Sequence, residues 1–204
     1  NHAFQFGCGI SQDGENLVAI RAGQLRTSKT GIEMRMWIDS NTKRYVPVDE
    51  DLVIGIVVDK RTEDYRLDVR GPSYGVLSAL SFEGATKRNK PKLEIGSLVY
   101  CRVSNSYRDA ESELSCLSLT YKKAVFGELE GGHMIETSIG YARSLLLPEN
   151  VVVNCLGRHL AYEIAVGCNG RVIWIKSDSV AKTILIANAI RNAEYDELIC
   201  ADPC

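Results

Sequence analysis

Gly167-Cys168-Asn169-Gly170 lies between two apolar runs, Tyr162 to Val166 and Arg171 to Ile175, and a long helical pattern follows. Two glycines three positions apart admit backbone conformations and close approaches that a Cβ would forbid. Such a loop serves one of two ends. It can bring backbone amides against the phosphates of single-stranded RNA. It can also close a β-hairpin, because Asn-Gly is a preferred type I′ turn pair. Phosphate-clamping loops of this kind join two helices, whereas strand-like runs flank this one. The setting favours the turn, with Asn169 and Gly170 at positive φ and the asparagine amide bonded to nearby backbone. Arg171 follows immediately and remains a candidate for a phosphate contact.

The chain has 204 residues, enough for one large domain or two to three small ones, and its 45% hydrophobic content predicts a packed core. The net charge of −2 provides no global field for nucleic acid, so any RNA contact must come from local patches or a partner. The seven cysteines are odd in number and irregular in spacing, without a CxxC. That argues against a disulfide framework or zinc site and for a reducing compartment. No run approaches a membrane span and no signal peptide precedes Phe4. Opening on Asn1, the chain is expected to be a trimmed fragment.

Three segments separate. Residues 1–44 carry short alternating runs (Leu17 to Ile20, Glu33 to Ile38) and a turn cluster at Asp39 to Thr42, predicting a small antiparallel β domain. Residues 45–120 hold five short strands: Leu52–Val58, Tyr65–Val69, Tyr74–Leu77, Leu98–Val103 and Leu114–Leu117. That count suits an OB-type barrel. Residues 121–204 contain a strand at Ala124–Leu129, a helix at Ser138–Leu147 stopped by Pro148, and the runs around Gly167. Ser177 is placed to cap a last helix with Val180, Ile184, Ala187 and Ile190 along one face. This third segment reads as a KH-type α+β module, so the fold class is mainly β with α+β.

Lys87-Arg88-Asn89-Lys90-Pro91-Lys92 puts four cations into six residues of the connection between the third and fourth barrel strands. Barrel-rim connections often carry binding residues, and lysine or arginine there can neutralise phosphates. A solvated loop, or one docked on an acidic neighbour, is the alternative. Lys60, Arg61 and Arg66 lie nearby in sequence. Tyr65, Tyr74 and Phe82 lie on or beside barrel strands where bases can stack. Tyr65 is the aromatic expected to be exposed, because Asp64 and Arg66 flank it. His2, His133 and His159 are scattered, and no Walker loop, HExxH, GxSxG or Rossmann fingerprint occurs. Asp49-Glu50-Asp51 has no second carboxylate cluster to complete a two-metal site. No catalytic residue, metal ligand or cofactor site is therefore expected.

Three stretches carry a family resemblance: Trp37-Ile38-Asp39-Ser40-Asn41-Thr42-Lys43-Arg44-Tyr45-Val46-Pro47-Val48, Leu80-Ser81-Phe82-Glu83-Gly84-Ala85-Thr86-Lys87-Arg88-Asn89-Lys90-Pro91, and Val166-Gly167-Cys168-Asn169-Gly170-Arg171-Val172-Ile173-Trp174-Ile175. With them the chain, from Gly7 to its final helix, resembles the ribosomal RNA-processing protein 40 family (exosome component 3), S1/KH cap subunits of the eukaryotic RNA exosome. Ser106 to Glu113 and Thr120 to Val125 depart from the relatives. The resemblance implies an N-terminal β domain (1–44), an S1 (OB-fold) domain (45–120) and a KH domain (121–204). It implies a non-catalytic, RNA-binding subunit that helps hold a ring of RNase PH-like subunits together and guides RNA into its pore. RNA degradation, 3′ to 5′, and rRNA processing then rely on a separate nuclease. Other cap subunits and single-stranded RNA are the remaining implied partners; DNA and membrane are not. Nucleus (nucleolus) and cytoplasm are the implied locations. In this family Gly167, Asn169 and Gly170 would be structural, packed between domains. The candidate RNA contacts are Lys60, Arg61, Tyr65, Arg66, Lys87, Arg88, Lys90, Lys92 and Arg171. A stand-alone S1/KH single-stranded RNA binder is the alternative, though such a protein is expected to be more basic.

Overall fold

The computed structural model describes residues 3–7, 9–14, 16–30, 33–39, 44–107, 110–118, 126–148, 150–170 and 173–200. The chain divides into two compact units, Asn1–Thr42 and Lys43–Cys204.

The first unit is all β. Strands β1 (Ala3–Phe6), β4 (Gln24–Thr30) and β5 (Glu33–Asp39) form a sheet in the order β1-β5-β4, and β2 (Ile10–Asp13) and β3 (Asn16–Ala19) form a separate hairpin. Gly14, at φ +61, turns that hairpin. The expected antiparallel unit is only partly found, because β1 runs parallel to β5. A parallel neighbour requires a crossover, and the hairpin with β4 provides it. Of the expected turn at 39–42, residues 40–42 lie outside the described residues.

The second unit opens with a barrel. Strands β6 (Leu52–Lys60), β7 (Asp64–Asp68), β8 (Gly75–Phe82), β9 (Leu98–Asn105), β10 (Ser112–Cys116) and β11 (Gly127–Leu129) lie in the order β10-β8-β7-β6-β9-β11. A β10–β9 pairing closes five of them into a ring. β11 pairs the first half of β9 (Gly127↔Tyr100 to Leu129↔Leu98) and so extends the barrel sheet. Val53, Val57, Leu67, Leu77, Val99, Cys101, Val103 and Leu114 fill the interior. Period-two alternation turns Tyr65, Leu67 and Val69 inward and Asp64, Arg66 and Asp68 outward. This overturns the expectation for Tyr65: it is 4% exposed and donates its hydroxyl to the Pro91 carbonyl at 2.6 Å. Charged flanking residues in a strand point to the opposite face, so they mark Tyr65 as interior.

The α+β module follows, with β12 (His133–Ile135), α1 (Ile139–Leu145), α2 (Val151–His159), β13 (Tyr162–Val166), β14 (Ile173–Ser177) and α3 (Val180–Cys200). Its sheet has the order β12-β14-β13, antiparallel throughout. Ser138 caps α1 by accepting from the Tyr141 N–H. α2 was not expected from the sequence. Asn150 caps it, its Oδ1 accepting from the N–H groups of Val152 (3.0 Å) and Val153 (3.1 Å). Ser177 is not the cap of α3; it ends β14 and donates to the Ala161 carbonyl at 3.0 Å. The buried stripe of α3 runs through Thr183, Ile186, Ala187 and Ile190, while Val180 (76%) and Ile184 (50%) are exposed. Apolar residues occupy both sides of this helix, so spacing alone selected the wrong register for its first turns.

Candidate nucleic-acid interface

The first halves of β6 and β9 are covered on both faces. Their inward residues fill the barrel, and outward Ile54 and Tyr100 meet Ala165 and Trp174 of the α+β module in a separate cluster. Tyr100 and Phe126 add a tilted ring contact at 5.5 Å between centroids. This cluster is a seam between barrel and module, and the 167–170 loop closes one side of it.

Val166 pairs with Ile173, so the loop joins an antiparallel hairpin, as the strand-flanked setting predicted. The turn differs from type I′. Gly170 donates to the Gly167 carbonyl (3.2 Å) and has φ +66, but Asn169 does not take positive φ. Nor does the Asn169 amide bond nearby backbone. Its Nδ2 donates to the carbonyls of Ile54 (2.8 Å) and Val69 (3.1 Å), on the barrel side of the seam. Cys168 donates its N–H to the Leu52 carbonyl at 2.6 Å, and its side chain joins the barrel core. The Gly170 carbonyl accepts from the Thr137 N–H at 2.9 Å. A Cβ on Gly170 would lie 2.6 Å from Ile139 Cα, and one on Gly167 would lie 2.9 Å from the Ile54 nitrogen and collide with the Asn169 side chain. All of 165–170 is buried. The glycines allow two modules to approach, and the loop has no surface left for a phosphate.

The basic residues fall at the far rim of the barrel. Thr86 and Asn89 exchange backbone hydrogen bonds of 3.1 Å in each direction, which holds Lys87 and Arg88 at the tip of a tight turn. The returning half of the connection is fixed to the β6–β7 end. Besides the Tyr65–Pro91 bond, Lys60 Nζ donates to the Leu93 carbonyl (3.1 Å) and Lys90 Nζ to that of Thr62 (3.4 Å). Lys60, Arg61, Lys87, Arg88, Lys90 and Lys92 are thus brought to one rim. They are not equivalent. Lys60 and Lys90 hold the loop, Arg61 faces Asp59 at 3.7 Å, and Lys60 also faces Glu94 at 3.9 Å. Lys87, Arg88 and Lys92 are exposed and have no ion-pair partner among the described residues.

Arg66 is separate from this rim. On the outer barrel face it pairs with Glu111, and its Cζ stands 5.1 Å from the centre of the Tyr74 ring. Sequence reasoning missed Glu111, in a segment with no pattern of its own. Arg171 lies outside the described residues.

The buried ionisable groups sit at the seam and in the barrel. Burial raises the Asp51 carboxyl, opposed by the Tyr45 hydroxyl hydrogen bond (2.9 Å) and the Arg143 charge. Burial, with Asp51 adding to it, likewise raises the Tyr45 phenol, which stays a neutral donor. Burial raises the Cys168 thiol, pushes Cys116 to about 12 and lifts Cys101 well above its ordinary value. These thiols are held un-ionised and are poor nucleophiles. Among the described residues no group of three or more His, Cys, Asp or Glu is placed to hold a metal ion.

The fold and its surface define an S1-type barrel seated on a KH-type module, with a cationic rim remote from the seam. Comparison with solved structures gives the same architecture: one described as a putative exosome complex RNA-binding protein superposes with TM-score 0.62 at 19% identity, over 74% of this chain and 86% of that one. Family models match in order along the chain: Exosome complex exonuclease Rrp40 N-terminal domain at 5–44, Exosome complex component RRP40, S1 domain at 45–127, and KH domain at 132–181. The chain belongs to the exosome complex component RRP40 family. A putative exosome complex component rrp40 of Dictyostelium discoideum is 45% identical over 191 residues (94% of this chain, 79% of that protein). Exosome complex component rrp40 of Schizosaccharomyces pombe is 45% identical over 183 residues (89% and 75%). Exosome complex component RRP40 of Homo sapiens is 35% identical over 193 residues (93% and 70%).

Proposed function

We propose that the chain is a non-catalytic, RNA-binding cap subunit of the exosome, and that Lys87, Arg88 and Lys92 form its primary phosphate contact. The observation that carries this reading is the division of labour between the two ends of the barrel. The conformationally special loop is consumed by the seam, while the rim holds three exposed cations without an ion-pair partner among the described residues. Fixed on a pinned connection, these cations meet a passing phosphate backbone with little ordering cost. The contact is electrostatic and independent of base sequence, as suits a subunit that guides many RNAs toward a separate nuclease.

A scaffold role among RNase PH-like ring subunits and other cap subunits is supported by the first unit. Among its residues whose burial is described only Gly9 and Ile38 are buried, while Leu17 (44%), Val18 (45%), Ile20 (62%) and Leu25 (62%) are exposed. A β unit this small, with so little core, needs a neighbour to cover it. Work in the nucleus, nucleolus and cytoplasm follows from the same reading. Reconstitution with RNase PH-like subunits tests it: the chain enters the complex, the complex protects RNA along the rim, and the chain alone cleaves no RNA with magnesium or phosphate. RNA cleavage by the chain, abolished by a point substitution in it, would overturn the proposal.

A further inference from the structure

The rim carries one chemical group that RNA binding leaves unused. Thr86, at the base of the turn that presents Lys87 and Arg88, is exposed and keeps its hydroxyl at the surface. We infer that Thr86 is a phosphorylation site, and that a phosphoryl group there closes the rim to RNA; the second half of the inference rests on the RNA reading above and deepens it.

Its surroundings single out this hydroxyl. Among the residues whose burial is described, the exposed serines and threonines are Ser11, Thr27, Thr62, Thr86 and Ser179. Ser11, Thr62 and Ser179 each have a carboxylate within two positions, Asp13, Glu63 and Asp178. Thr27 lies mid-strand in β4, opposite Met36 of β5. Thr86 stands instead in a surface connection whose residues 84–93 contain no Asp or Glu, and Lys87, Arg88, Lys90 and Lys92 follow it. Kinases select acceptors in part by flanking charge. Thr86-Lys87-Arg88 suits a kinase that reads basic residues on the C-terminal side of the acceptor.

The turn tolerates the modification. Two backbone bonds of 3.1 Å between Thr86 and Asn89 hold it without the side chain. Thr86 Oγ1 also accepts from the Asn89 N–H, at 3.1 Å, and a phosphoryl oxygen can accept from that donor in its place. ATP is the phosphoryl donor. Thr86 Oγ1 bonds to the γ-phosphorus, the bond from that phosphorus to the β–γ bridging oxygen breaks, ADP leaves, and the hydroxyl proton passes to the kinase's catalytic carboxylate. Charge sets the consequence. A phosphothreonine carries about −1.5 to −2 charge at neutral pH and three acceptor oxygens. Lys87, Arg88 and Lys92 have no ion-pair partner among the described residues, so the new group offsets about two of their three charges. It also offers these cations the ligand that RNA would offer, tethered at high effective concentration.

The test incubates the full chain with ATP and a purified kinase selective for basic residues after the acceptor, beside a peptide of residues 81–93. Mass mapping should place a phosphate on Thr86 of the folded chain, Thr86→Val should remove it, and bound RNA should slow its addition. The phosphorylated chain should bind single-stranded RNA about 10- to 30-fold more weakly at about 0.1 M salt, with the slope of log K against log salt lower by about 1.4, as for two lost phosphate contacts. Thr86→Val, unmodified and melting as wild type, should bind RNA as wild type does. A peptide that is not modified would refute the flanking-charge argument, and a modified peptide beside an unmodified folded chain would refute the site. Phosphate on Thr86 with unchanged affinity and slope would refute closure of the rim and leave salt-dependent RNA binding standing. Absence of salt-dependent binding by the unmodified chain would overturn the RNA reading and the closure with it.

Discussion

Replacing Asn169 by alanine removes the two hydrogen bonds that tie the hairpin loop to the barrel. Its Nδ2 donates to the carbonyls of Ile54 at 2.8 Å and Val69 at 3.1 Å, and the residue is 1% exposed. Alanine leaves both carbonyls without that donor in a buried site. An unsatisfied buried acceptor costs about 1–3 kcal/mol, so the pair costs about 3 kcal/mol after partial relaxation. For a unit of this size that lowers the melting temperature by about 6–12 °C. Asn169→Asp is the sharper probe, because at neutral pH it sets a carboxylate oxygen against two carbonyl oxygens. It should destabilise more than alanine, and less so at acid pH, where protonation restores one donor. Urea unfolding of the full chain, followed by circular dichroism, gives both values, with rim-dependent RNA affinity measured below the transition. A change under about 0.5 kcal/mol in Asn169→Ala would refute the seam argument. Lost RNA affinity at native stability would reinstate the loop as a phosphate clamp.

Three further outcomes are expected. Asp51 has a raised folded-state pKa, mainly through burial, so its contribution to stability is fully present below the unfolded value near 4 and lost as pH rises through the folded value. Exposed Asp49, lowered by hydrogen bonds from Ser106, works in the opposite sense, so the comparison is wild type against Asp51→Asn. The variant should lose part of the decline in melting temperature from pH 4 toward neutral, and an identical profile would contradict the assignment. Maleimide labelling of the native chain with peptide mapping should modify exposed Cys155 and spare Cys101, Cys116 and Cys168, whereas prompt labelling of Cys168 would show the seam to be open. Tyr65→Phe removes the 2.6 Å bond to Pro91 and should cost about 1 kcal/mol while weakening RNA binding through a looser rim; unchanged stability would show that the bond does not pin the loop.

Legibility from sequence followed the range of the signals. Leu52 to Val58 and Leu98 to Val103 read as strands because they are apolar runs. Their continuous, rather than alternating, apolarity also marks strands covered on both faces, although nothing local says that Trp174 and Ala165 provide the cover. Gly167 to Gly170 announced a tight turn, but the Asn169 partners lie 115 and 100 residues away and leave no local trace. α2 was missed because Val151-Val152-Val153 is β-branched, Gly157 interrupts the helix, and none of its residues is fully buried. The Lys87 to Lys92 cluster was plain as composition. How it joins the rest of the rim was not, since Lys60 of β6 and Lys90 of the cluster donate to the carbonyls of Leu93 and Thr62 and hold the loop.

The most direct test of the central claim, that the cationic rim and not the glycine loop meets RNA, is the salt dependence of RNA binding by Lys87→Ala/Arg88→Ala/Lys92→Ala. Loss of three phosphate contacts should lower the slope of log K against log salt by about 2 and weaken binding to any sequence alike, at an unchanged melting temperature. An unaltered slope and affinity in this variant, with Gly170→Ala losing RNA while melting as wild type, would contradict the account.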